Sequence, residues 1–360
     1  MSVADLALQR NKYKHLTDEE WRWFLQQVEG RERTADKLPT FAAIADWWYP
    51  VRLSCEQCSS ELAARYKASL VSGEKMVDLT GGYGVDTYFL NDSFSSIDYV
   101  EQNEELCRIA AHNFVHKPIT IHNTSAEEFL KTAEQYDLIF LDPARRDSHG
   151  GKVFRLEDCT PNVVELLPTL LEHGKQILLK LSPMLDLTQA VTSLSQVTWD
   201  IYVVAIKNEV KELLLLSGGT GQITAIDLDK KDQAFTFTRE EEQNCQMVNG
   251  KCENGKWLYE PNAAILKAGA YKLVAERFGL HKLDINTHLY CSDQLIENFP
   301  GRTWNITEKQ DLKQANVLTR NYPLTPEQLK KKLHLRDGGT AYIIGCRVNG
   351  KPTLFFAERV

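Results

Sequence analysis

Asp78, the glycines at 81, 82 and 84, Glu101, Asp142 and Lys180 are the residues of this 360-residue chain whose types and spacing could do chemistry. The stretch MVDLTGGYG ends an apolar run in an acid and follows it at once with a glycine turn. Glycines remove Cβ atoms and permit positive φ, so a ligand can approach the backbone closely. A helix that begins behind such a turn points its N–H groups at that ligand. A plain tight turn would read the same way, so the surroundings decide. Glu101 ends a second apolar run, IDYVEQN, at an offset suited to a ribose hydroxyl pair. A third acid-rich turn, TSAEEF, follows ITIHN, and a fourth run, YDLIFLDPARR, ends in Asp142. Lys180 interrupts the apolar run QILLKLSP, where an ammonium is costly unless it reaches water or a partner.

These polar residues need strands to carry them. Strands are expected near MVDL, SIDYV, ITIHN, DLIFL, QILLKL, DIYVVAI and ELLLLS, with helices over 83–90, 104–114, 126–134 and 160–173 between the first five. Such alternation predicts a parallel sheet with helices on both faces. Ligands then bind beyond the carboxyl ends of the strands, where the acids fall. The short polar turn KNEVK predicts that the last two strands form an antiparallel hairpin at the sheet edge.

The flanks read differently. Residues 1–70 predict helices: one opened by a Thr17/Glu20 capping box, a second over 40–48 ended by Pro50, and a third over 54–70. Beyond Ser217 the breaker GGTG precedes two short strands, then a helix with Pro261 in its first turn and Gly279 at its end. The tail predicts a helix from Thr325 and a hairpin turning at Asn349-Gly350. The expected domains are 1–70, a helical segment; 71–220, the ligand-binding sheet; 221–300, an α+β domain; and 301–360, a basic α+β domain.

Hydrophobic residues make up 43% and charged residues 25%, the proportions of a globular protein in water. No run of apolar residues is long enough to span a membrane, and the polar start of the chain is unlike a signal peptide. The eight cysteines form no disulfide-like pattern and read as reduced thiols, which places the protein in the cytoplasm. Cys55 and Cys58 form a lone CxxC without the further ligands that zinc needs, so no metal is expected. Trp21, Trp23, Trp47 and Trp48 could stack on bases or fill a core. The net charge of −7 is unevenly spread: eleven Lys/Arg against five Asp/Glu from Arg302 onward leave +6 there and −13 before it. An acidic catalytic body with a basic binding module, or simply a solvated basic face, would give this asymmetry.

The ordered motifs DLTGGYG, VEQN, SAEEF and DPAR resemble those of class I S-adenosylmethionine-dependent methyltransferases, over residues 76–217. The whole chain resembles a bacterial methyltransferase family with a C-terminal THUMP-like domain, most closely in RNYPLTPEQLKKKLHLRDGG. The resemblance implies a Rossmann-like α/β sheet flanked by a helical segment and by ferredoxin-like and THUMP-like α+β domains. It implies S-adenosylmethionine as cofactor, bound by Asp78, Thr80, Gly81, Gly82, Gly84, Glu101, Ala126 and Glu127. Thr80 stands where the family often has glycine.

DPAR resembles the Asp-Pro-Pro-aromatic motif of enzymes that methylate amino groups on planar rings, with Ala144 and Arg145 in place of the second proline and the aromatic residue. Asp142, Pro143, Arg145 and Lys180 are therefore the expected catalytic residues, with Arg146 a second guanidinium that could stack on a base or pair with a phosphate. Asp142, Lys180 and Glu212, with Lys67 as a candidate fourth member, also resemble the Lys-Asp-Lys-Glu set of ribose 2′-O-methyltransferases. The expected activity is methylation of structured RNA (tRNA or rRNA), at a base rather than at a ribose hydroxyl. The alternative is a small-molecule or protein methyltransferase whose C-terminal module only packs or mediates association.

Overall fold

The computed structural model describes residues 3–145, 155–246 and 255–360. The chain divides into two compact units, residues 1–198 with 214–218, and residues 199–213 with 219–360. Helices of the first unit begin with α1 (Val3–Ala7) and α2 (Asp18–Thr34). The Thr17 hydroxyl accepts the Glu20 N–H and the Glu20 carboxylate accepts the Thr17 N–H, so α2 opens on the expected capping box. α3 (Pro39–Ala43) is shorter than the expected 40–48 helix. Ile44 is already extended, and the chain beyond it turns Trp47 and Tyr49 into the core, Trp47 stacking on Phe41. Trp21 and Trp47 are thus core residues, as one of the two readings required. The expected 54–70 helix is two helices, α4 (Arg52–Gln57) and α5 (Glu61–Leu70). Ser60 breaks it, because its hydroxyl caps α5 by accepting the Ala63 N–H.

The sheet of the first unit then builds in order: β1 (Gly73–Asp78), α6 (Val85–Leu90), β2 (Phe94–Glu101), α7 (Glu104–Asn113), β3 (Ile119–Asn123), α8 (Ala126–Leu130) and β4 (Tyr136–Leu141). A small ladder, β5 (Ala144–Arg145) with β6 (Cys159–Thr160), follows β4. α9 (Val163–His173) starts three residues later than expected because Asn162 caps it. β7 (Gly174–Leu181) and α10 (Leu187–Ser193) complete the alternation. The strand order is β7-β4-β1-β2-β3, and every pairing in it is parallel. The chain starts at the middle strand and winds outward in both directions, so the carboxyl ends of β1, β2 and β4 share one edge.

In the second unit β8 (Trp199–Ile206) turns through Lys207 and Asn208, both at positive φ, into β9 (Glu209–Ser217), whose last residues belong to the first unit. This hairpin is not at an edge. β10 (Gln222–Asp227) pairs in parallel with β8, and β11 (Phe235–Thr238) pairs antiparallel with β10. α11 (Arg239–Asn244) follows β11. β12 (Trp257–Pro261) includes the proline expected inside a helix; Asn262 caps α12 (Ala263–Ala268), and Gly269 at φ 85° separates it from α13 (Tyr271–Phe278). β13 (His281–Asp284), β14 (Thr287–Ser292), β15 (Gly301–Thr307), β16 (Asn316–Arg320), α14 (Pro326–Lys332), β17 (Ala341–Val348) and β18 (Lys351–Arg359) follow. Their sheet runs β13-β14-β12-β15-β18-β17-β16, so the segments on either side of residue 300 share one sheet. Asn349 and Gly350, both at positive φ, form the expected turn between β17 and β18. Cys291 is disulfide-bonded, contrary to the expectation of reduced thiols throughout. Among the described residues no helix is long and apolar enough to cross a membrane.

Candidate active site

The first unit holds a pocket of about 260 Å³ at the carboxyl ends of β1, β2 and β4. Asp78, Thr80, Gly81, Gly82, Gly84, Glu101, Ala126, Glu127, Asp142 and Lys180 all line it. Side-chain packing explains the glycines. A Cβ on Gly81 would lie 2.2 Å from the ring of Tyr99, a fully buried residue of β2. Gly84 has φ 80° at the start of α6, and a Cβ there would lie 2.5 Å from Phe114. The turn is tied down as well as cleared: the Tyr99 hydroxyl donates to the Gly82 carbonyl at 2.6 Å. The Gly82 N–H donates to one Glu101 oxygen at 2.9 Å, and the Asn103 N–H donates to the other at 2.7 Å. Glu101 thus clamps the turn from the end of β2.

Asp78 is buried at the end of β1 and accepts from the Thr87 hydroxyl at 2.6 Å and the Thr80 N–H at 3.0 Å. Burial pushes its carboxyl up to about 7, and the nearby Asp86 and Asp142 act in the same direction against those hydrogen bonds. Thr80, where the family often has glycine, has a visible role: its hydroxyl oxygen accepts the Asp142 N–H at 2.6 Å. Ser125 caps α8 by accepting the Glu128 N–H, which sets Ala126 and Glu127 on the pocket wall.

Asp142 and Lys180, expected one strand apart, form an ion pair. Lys180 also lies 3.8 Å from Asp86 of α6. Asp86 in turn lies 3.1 Å from Lys67 of α5, whose side chain has no exposed surface. Lys67, Lys180 and Asp142 of the Lys-Asp-Lys-Glu resemblance thus surround Asp86 in the first unit. Glu212 is buried. Among the described residues Pro143 does not line the pocket; the Arg145 backbone pairs with Cys159, and the Arg145 side chain and Arg146 lie outside what the structure describes.

Residues 257–300 match a family of ferredoxin-like domains and residues 305–359 a family of THUMP-like domains. Proteins of two Mycobacterium tuberculosis strains, named as uncharacterised S-adenosylmethionine-dependent methyltransferases, are 24% identical over 350 residues, 91% of this chain and 92% of theirs. A crystal structure from Porphyromonas gingivalis W83, named a candidate methyltransferase, is 34% identical with a TM-score of 0.86, covering 96% of this chain and 92% of that one. The chain belongs to the class I S-adenosylmethionine-dependent methyltransferases that carry a C-terminal THUMP-like domain.

The pocket of this methyltransferase fits its cofactor on the chain's own geometry. Gly81, Gly82 and Gly84 line the pocket with backbone alone, beside an acid at each of two strand ends, Asp78 and Glu101. Backbone amides and carboxylates are the donors and acceptors that an amino acid linked to a nucleoside requires.

The methyltransferase pocket also contains residues that sequence reading missed. Ser54, Gln57, Cys58 and Ser59, from α4 and the break after it, form one wall. The available signal was the segment QCSSELAARYKA, which leads directly into β1 and resembles the stretch before the cofactor fold in the family. Asp86 was missed too. An acid among Val85, Phe89 and Leu90 is as anomalous as Lys180 in its strand, and the same cost argument would have found it.

Proposed function

We propose that this methyltransferase acts on structured RNA, tRNA or rRNA, and methylates a base rather than a ribose hydroxyl. The observation that carries the choice of atom is the Asp142–Lys180 ion pair on the pocket wall. The cofactor supplies an electrophilic methyl group on a sulfonium. In this reading Asp78 and Glu101 hold its polar ends and Gly81, Gly82 and Gly84 admit it, which their common position on the pocket wall supports. A ribose hydroxyl needs a base to take its proton. The head of Lys180 is already engaged by two carboxylates, those of Asp142 and Asp86. The Asp142 side chain is 38% exposed and suited to accept a hydrogen bond from an amino group.

The basic tail supports RNA as the substrate. The Arg336 N–H donates to the Lys313 carbonyl at 3.0 Å, directly after the lysines of α14. Lys313, Lys331, Lys332 and Arg336 are all exposed, and exposed cations suit a phosphate backbone. A different observation favours the alternative, a small-molecule or protein substrate with a tail that only packs. Arg302 and Arg320 both pair with buried Glu260, so part of the tail's positive charge is internal.

The test is nucleoside mass analysis of RNA from cells with and without the gene, complemented by wild type, Asp142→Ala or Lys180→Ala. Loss of a base-methylated nucleoside, restored by wild type and partly by Lys180→Ala, is the expected result. Loss of a ribose-methylated nucleoside, with Lys180→Ala inert, would overturn the base assignment. No change in any nucleoside would favour a small-molecule or protein substrate.

A further inference from the structure

We infer that Asp86 and Lys67 are positioning residues: a buried ion pair from α6 and α5 that fixes the Lys180 ammonium, and through it the Asp142 carboxylate, at the pocket wall. The inference rests on Asp142 being the group that meets substrate. Four charges of alternating sign run from the interior to the pocket, Lys67, Asp86, Lys180 and Asp142. Side-chain exposure rises along them from 0% through 10% and 12% to 38%. Asp86 holds both lysines at once. One of its oxygens lies 3.1 Å from Lys67, and the other accepts the Ser59 hydroxyl at 2.8 Å and lies 3.8 Å from Lys180. Lys67 also donates to the Ser59 hydroxyl at 3.3 Å.

Stability alone gives little reason for this arrangement. Desolvating two charges costs about as much as their attraction returns, and apolar residues of similar volume would often serve as well. A function at the pocket gives the reason. A lysine side chain has several rotatable bonds, and a single partner at the mouth would let its head swing with Asp142. A second carboxylate beneath it, itself held by Lys67 and Ser59, removes that freedom, and a displacement of about 1 Å is enough to slow a methyl transfer greatly. The groups facing Asp86 are Lys67 from α5, Lys180 from β7, Ser59 and Cys58 from the break after α4, and Asp78 from β1. The two lysines and the Ser59 hydroxyl hold Asp86 ionised in spite of its burial.

The test uses the full-length protein and needs no substrate for its first reading. Acetic anhydride acylates only the free amine, so the rate at Lys180, read by peptide mass spectrometry against exposed Lys331, reports how firmly its ammonium is held. Asp86→Asn removes one of the two carboxylates that hold the Lys180 head, so the head should move more freely and acylate on the order of tenfold faster. Lys331, exposed and distant in sequence, should be unaffected. Ser59→Ala, a milder change at the same carboxylate, should give a smaller acceleration in the same direction and serves if Asp86→Asn does not fold. In the second reading, methyl incorporation into RNA from cells lacking the gene should show kcat reduced and KM for RNA unchanged in Asp86→Asn. An unchanged Lys180 rate in both variants would overturn the inference. So would faster acylation at every lysine together with lost cofactor affinity, the mark of a purely structural role. Wild type that methylates no such RNA would count against the proposed function, and the acylation rates would still decide the positioning role.

Discussion

The Thr80 hydroxyl oxygen accepts the backbone N–H of Asp142 at 2.6 Å, joining the glycine turn after β1 to the residue that ends β4. The same hydroxyl lies 3.4 Å from Asp78, within reach of donating to it. One side chain therefore connects an expected cofactor acid with the expected catalytic acid. Thr80→Val keeps the shape and removes the hydroxyl, which leaves the Asp142 N–H without this acceptor. The variant should lose about 1–3 kcal/mol of stability, the usual cost of such a group, and Thr80→Ser should recover most of it. Denaturant unfolding measures both.

If the glycine turn is the cofactor cradle proposed above, cofactor binding should depend on the absence of a side chain at Gly81. S-adenosylhomocysteine should raise the melting temperature of wild type, because a ligand that binds only the native state stabilises it. Gly81→Ala would drive a Cβ into the Tyr99 ring and should abolish that shift. Gly81→Ala combined with Tyr99→Leu, which removes the obstructing ring, should recover part of it. A full thermal shift in the Gly81→Ala single variant would show that the turn is not the cofactor cradle.

The Asp78 carboxyl, pushed up to about 7 by burial, has a definite sign in a pH titration. Between its ordinary value near 3.8 and about 7 the folded chain keeps a proton that the unfolded chain has released. The contribution of this group to stability therefore falls as pH rises through that window and levels off above it. Asp78→Asn removes the titration. The melting temperature of wild type relative to the variant should decline as pH rises across that window. A difference that stays flat with pH would contradict the assignment.

Glu260 of β12, 3% exposed, pairs with Arg302 of β15 and Arg320 of β16. Glu260→Gln would leave two guanidiniums without their charge partner, one of them facing it directly across the β12–β15 ladder. The loss should be about 3 kcal/mol, at the lower end for a broken buried pair because both arginines are partly exposed. Glu260→Gln unfolding at the wild-type denaturant midpoint would show that the pairs add nothing.

RNA binding is best tested by charge reversal. Deletion from residue 302 would remove β15, which lies between β12 and β18, and would dismantle the sheet. Lys331→Glu with Lys332→Glu and Arg336→Glu changes exposed side chains only. Affinity for bulk tRNA should fall by on the order of a hundredfold at low salt, and the dependence on salt should become shallower, since fewer counterions are released. Affinity for S-adenosylhomocysteine should stay at the wild-type value. Equal RNA affinity of variant and wild type at matched salt would remove the tail from the binding surface.

Much of the first unit was legible in the sequence because its signals are local. Alternating apolar runs and helical periods predicted β1–β4, β7 and their helices. The glycine turn, Glu101, Ala126, Glu127, Asp142 and Lys180 fall at strand and helix ends, and parallel topology brings those ends to one edge. What sequence could not decide depends on partners distant in the chain. The 40–48 segment has a helical period, yet burial of Trp47 and Tyr49 ends the helix at Ala43. The KNEVK turn marks a hairpin, but nothing local in it says that β10 will add beside β8. Lys67 and Asp86 lie nineteen positions apart in neighbouring helices; Asp86 stands out among apolar neighbours, but nothing local names Lys67 as its partner. Only packing α5 against α6 buries the two together, and desolvation then makes each require the other.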